Sequence, residues 1–67
     1  MNINLRQAIL QRVQNKSNDE LQEIIEESIG GEERVLPGLG VLFEIIWQHS
    51  EENTQNELVE TLKGHLQ

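Results

Sequence analysis

The stretch Leu36-Pro37-Gly38-Leu39-Gly40-Val41-Leu42-Phe43-Glu44-Ile45-Ile46-Trp47-Gln48-His49 constrains this chain more than any other. It holds both aromatic residues, the only proline and most of the largest side chains. Projected as a helix at about 100° per residue, Leu39, Val41, Leu42, Phe43, Ile45, Ile46 and Trp47 spread over an apolar arc of about 240°. Only Gly40, Glu44 and Gln48 are left to face water. A helix so apolar needs neighbours on nearly every side, which makes residues 37–49 the expected centre of the fold.

The flanking segments have the periodicity to supply those neighbours. From about Asn4 to Gln14, Leu5, Ala8, Ile9 and Val13 recur at helical spacing among Arg6, Gln7, Gln11, Arg12 and Gln14, with Asn2 or Asn4 as N-cap. Asn15-Lys16-Ser17-Asn18 breaks that pattern. Ser17 then stands at capping-box spacing before Glu20, which predicts a second helix with Leu21, Ile24, Ile25, Ser28 and Ile29 on its apolar stripe. Gly30-Gly31 ends it by permitting left-handed backbone. Residues 32–36 read as a short connector with one 3₁₀ turn, since Leu36 precedes a proline and is biased away from helical dihedrals. Pro37 itself suits the first turn of the next helix. Ser50-Glu51-Glu52-Asn53 interrupts the pattern again, Thr54 with Glu57 repeats the capping-box spacing, and a fourth helix follows with Leu58, Val59, Leu62 and Leu66 inward. Apolar and polar residues nowhere alternate as a strand requires. The expected fold is all-α, a small bundle of four short helices in a single domain.

Size and charge bound what such a bundle does. A core built from 67 residues supplies only about 3–5 kcal/mol, so a chain of this length depends on tight packing, a staple or a partner. It has no cysteine, which removes disulfides and thiolate metal sites. Twelve Asp and Glu against five Lys and Arg give a formal charge of −7. Binding to a phosphate backbone is driven by basic residues releasing counterions, and attraction to anionic membranes needs them too. Neither nucleic acid nor a membrane surface is therefore an expected partner. In acid the carboxylates are neutral and the five Lys and Arg join two charged His, a net positive state that favours solubility even if the fold suffers. The N-terminus lacks a basic region followed by a long apolar run, so a soluble, intracellular product is expected.

Candidate sites dissolve into structural roles. His49 and His65 both fall at helix ends, where the macrodipole favours an imidazolium, and neither has partners at metal-ligand spacing. The pairs Glu26-Glu27, Glu32-Glu33 and Glu51-Glu52 offer carboxylates that diverge by about 100° on a helix rather than share a cleft. With no thiol, no Ser-His pairing and little volume for a pocket, no catalytic residue, metal or cofactor is expected. Gly38-Leu39-Gly40 lacks the further glycine, the Lys-Ser/Thr and the preceding strand of nucleotide-binding loops. Two bare positions beside Pro37 are better explained by close approach of another helix or chain. The residues on which structure and interaction should turn are Leu36, Pro37, Gly38, Leu39, Gly40, Val41, Leu42, Phe43, Ile46 and Trp47, as core or as interface.

The run Leu36 to Trp47 resembles the signature of the minor small acid-soluble spore protein I family of endospore-forming bacilli. Asn2-Ile3-Asn4-Leu5-Arg6-Gln7-Ala8-Ile9, Gly31-Glu32-Glu33, Glu51-Glu52-Asn53 and Leu58 to Leu62 fit that family too, so the similarity spans nearly the full length. The resemblance implies a protein made in the forespore and deposited in the spore core, without catalytic residues, cofactor or defined molecular activity. DNA coating, the property of the α/β-type acid-soluble proteins, does not carry over to so acidic a chain. The expected role is that of a non-enzymatic structural constituent partnered by itself or by another spore protein. The alternative is an interaction adaptor using residues 36–47.

Overall fold

Side-chain caps decide where the first two helices start. In the computed structural model, which describes residues 4–67, Asn4 Oδ1 accepts from the backbone N–H of Arg6 at 2.8 Å and of Gln7 at 3.4 Å, and α1 runs Leu5–Val13. Asn2, the other candidate cap, lies outside the described residues. The Ser17 hydroxyl accepts from the Glu20 N–H at 3.2 Å, while the Glu20 carboxylate accepts from the Ser17 N–H at 3.0 Å. This reciprocal box opens α2, Asn18–Ser28. Those same bonds, the backbone one first, hold the Glu20 carboxyl below its ordinary pKa. Asn15 and Gly30, just beyond α1 and α2, both adopt positive φ, 64° and 71°, the left-handed conformation that asparagine and glycine tolerate best.

The connector does contain a 3₁₀ turn, Glu33–Val35, and it runs straight into α3, Leu36–Gln48. Leu36 is fully helical at φ −61°, ψ −40° despite the following proline, its N–H bonding to Glu33 O where the 3₁₀ turn runs into the helix. The missing Pro37 N–H falls in the first turn, where no intrahelical partner exists for it. Helix α4, Glu52–Leu66, begins before the expected box. Its N-cap is Glu51, with no side-chain bond, and Thr54 lies inside the helix rather than capping it. Ser50 turns its hydroxyl back onto Ile46 O, and Gln55 Nε2 donates to Trp47 O at 2.7 Å, fastening the start of α4 to the end of α3.

The described residues form four α-helices and no strand, and α3 is the element against which α1, α2 and the 3₁₀ turn pack. Helix α4 packs less extensively against the rest. Among the described residues only Val41 is buried, at 8% exposure. Ala8, Ile9, Val13, Leu21, Ile24, Ile25, Ser28, Val35, Leu39, Leu42, Trp47 and Leu58 are half-buried around it. The inward stripe expected of α4 is largely open: beyond Leu58, Val59, Leu62 and Leu66 are exposed.

Glycines 38 and 40 mark a difference from the packing expected of them. Among the described residues, a Cβ added at either would meet no atom within 4 Å, so no other described element approaches there. In a helix interior such a glycine only costs conformational entropy. Gly40→Ala is therefore expected to stabilise the fold by about 0.5–1 kcal/mol. A higher urea midpoint would register that gain; a lower one would mean that another chain lies against that face.

Candidate functional site

A groove of about 770 Å³ lies between α3 and α4. Its α3 wall consists of Phe43, Glu44, Trp47 and Gln48, one turn apart in pairs, and its α4 wall of Leu58, Val59, Thr61 and Leu62. The Phe43 and Trp47 rings face each other across one turn with centroids 5.9 Å apart and planes tilted by 38°, within the range of favourable aromatic pairing. The polar side chains on the lining are mostly engaged. Thr61 Oγ1 donates back to Glu57 O at 2.9 Å, and Glu44 accepts two bonds from Arg6. The groove can bury apolar surface, and its lining presents no nucleophile paired with a base.

The ten residues marked by the sequence divide within α3. Val41 is buried; Gly38, Leu39, Leu42 and Trp47 are half-buried; Leu36, Pro37, Gly40, Phe43 and Ile46 are exposed. Phe43 and Trp47 alone among them line the groove. Its α4 wall comes from the fourth helix, whose apolar stripe was legible but whose pairing with Phe43 and Trp47 was not.

Glu44 keeps a partly water-facing side chain, 44% exposed, as the helical projection places it, but it is paired there. Arg6 Nε and Nη2 donate to Glu44 Oε1 and Oε2 at 2.8 and 2.9 Å, a two-pronged clamp between α1 and α3 across 38 residues of sequence. The hydrogen bonds from Arg6, with its charge adding to them, hold the Glu44 carboxyl below the ordinary glutamate range. A carboxyl lowered on folding contributes stability that is complete above its unfolded pKa and is lost as pH falls through its folded one. The clamp is thus present at neutral pH and released in acid. In a carboxylate NMR titration, Glu44 should titrate below a normal glutamate, and Arg6→Ala should return it upward. An unchanged Glu44 midpoint in Arg6→Ala would show that the clamp does not persist in solution.

The remaining polar candidates stay apart. His49 closes α3, its Nδ1 2.9 Å from Ile45 O, and His65 lies in the last turn of α4. Glu26, Glu27, Glu32, Glu33, Glu51 and Glu52 are all exposed. Among the described residues, no group of three or more His, Cys, Asp or Glu is arranged to hold a metal ion, and no helix is long and apolar enough to cross a membrane.

Comparison with known proteins gives this helical scaffold a family. The model of the family described as small, acid-soluble spore protein I matches residues 3–66. The protein of that name from Bacillus cereus (strain G9842) is 52% identical over 67 residues, covering 98% of this chain and 97% of its own length. The one from Bacillus subtilis (strain 168) is 48% identical over 67 residues, with 98% and 94% covered. The one from Bacillus anthracis (strain CDC 684 / NRRL 3495) is 51% identical over the same length, with 98% and 97% covered. No solved structure matches the chain significantly. With the match running through the apolar α3, the capped α2 and the acidic α4, the chain belongs to the small, acid-soluble spore protein I family.

Proposed function

We propose that the chain is a non-enzymatic structural constituent of the bacterial endospore core, made in the forespore. Membership of a spore-protein family along residues 3–66 carries this reading. The chemistry of the surface supports it: the groove between α3 and α4 is apolar, two of its polar side chains are bonded within the chain, and the exposed carboxylates are dispersed. Duplex nucleic acid is not a partner on this reading, because a formal charge of −7 opposes a phosphate backbone. Acid solubility follows from the charge inversion, with release of the Arg6–Glu44 clamp loosening α1 from α3 as the carboxylates protonate.

Fractionation of spores tests the assignment. Immunoblots should find the chain in the acid extract of spores that are stripped of coat and then broken, and in the forespore compartment during sporulation. Recovery with the coat, or synthesis in the mother cell, would overturn it.

A second reading, an interaction adaptor working through residues 36–47, is favoured by the exposure of Leu36 and Phe43, 54% and 49%. A purified chain that stays monomeric and captures one defined spore protein, losing it on Phe43→Asp, would establish that reading instead.

A further inference from the structure

We propose that the groove between α3 and α4 is half of a self-complementary interface, filled by α4 of a second copy of this chain. The surface area carries the argument. The chain exposes 6101 Å², whereas a compact folded monomer of 7.7 kDa exposes about 4,300 Å². An excess of about 1,800 Å² per chain is of the size that an obligate homodimer buries, about 1,000–2,500 Å² on each partner. The radius of gyration agrees: 13.4 Å against about 11 Å for a compact domain of this length.

Part of the open apolar surface lies where the interface is placed. Phe43 on α3 and Val59, Leu62 and Leu66 on α4 are 49%, 48%, 57% and 74% exposed. Exposed apolar side chains of this kind, where one residue is buried among those described, are what a second subunit removes from water. The groove belongs to the same helix that would fill it, so a two-fold axis satisfies both copies at once. Charge does not oppose the contact. Glu44, the only ionised group on the lining, is neutralised by Arg6, and Glu60 falls on the opposite side of α4 from Leu58 and Leu62. The acidic remainder of each copy stays in water, where salt screens its repulsion. Association between copies should therefore hold or strengthen with salt, while capture of a basic partner would weaken.

The proposal goes beyond the spore-core role and does not depend on it. It is tested on the purified full chain by sedimentation equilibrium over a concentration series, with Trp47 emission and the thermal midpoint followed in parallel. The wild type should sediment at twice its 7.7 kDa mass, shift Trp47 emission to the red on dilution, and show a midpoint that rises with concentration. Leu62→Asp should weaken association by at least about a hundredfold, because an unpaired carboxylate would be buried in the contact. Leu5→Asp, an exposed α1 position away from the groove, should leave it unchanged. A monomeric wild type with a concentration-independent midpoint overturns the proposal, as does a Leu62→Asp chain that associates as tightly as Leu5→Asp. If Leu62→Asp loses its helices, the wild-type midpoint and Trp47 shift decide the matter: present together they support the interface, absent they refute it.

Discussion

Val41→Asp should abolish the cooperative fold at neutral pH. Val41 is the one buried residue among those described, at 8% exposure, and it sits on the helix against which α1, α2 and the 3₁₀ turn pack. Burying an ionised carboxylate without a partner costs several kcal/mol even after local relaxation. That is comparable with the whole of the about 3–5 kcal/mol available to a chain of this size. The expected result is a large loss of far-ultraviolet helical signal and a urea transition without a native baseline. By contrast, Leu5→Asp, at a position 60% exposed, should change stability by no more than about 0.5 kcal/mol. A Val41→Asp chain that unfolds cooperatively at the wild-type urea midpoint would show that α3 does not organise the fold.

The parts of this structure that were legible in the sequence are those set by neighbours within one turn. Asn4, Ser17 with Glu20, and Pro37 each act over three or four residues, so their spacing alone places the starts of α1, α2 and α3. The apolar arc of α3 is likewise a local pattern, and it correctly marks the element on which the others gather. What stayed hidden depends on distance or on competition. The Arg6–Glu44 clamp joins residues 38 positions apart, and nothing in the spacing of either helix selects that pair from the many charges present. Thr54 and Glu57 have capping-box spacing, yet α4 begins at Glu52 and leaves Thr54 no free end to cap. Apolar periodicity also fixes which stripe prefers burial without fixing whether anything covers it. Val59, Leu62 and Leu66 are left 48%, 57% and 74% exposed. Gly38 and Gly40 present the same ambiguity in reverse, since bare positions license a close approach that no described element makes.

Trp47→Ala separates the two environments open to the groove. Complete truncation of a buried tryptophan costs about 3–5 kcal/mol, but Trp47 is only half-buried in the single chain, so about 2 kcal/mol is expected there. Part of that loss comes from the ring pair with Phe43 and part from the α4 wall that the indole supports. The Gln55 bond survives, because its acceptor is the Trp47 backbone carbonyl. If a second copy fills the groove, the indole becomes fully enclosed and the cost rises toward the upper figure, but only where the chain is concentrated enough to associate. Urea unfolding of wild type and variant at dilute and at high concentration should therefore give two different penalties, the larger at high concentration. Equal penalties at both would leave the indole in one environment throughout. A penalty below about 1 kcal/mol would remove Trp47 from the set of residues that hold α4 to α3.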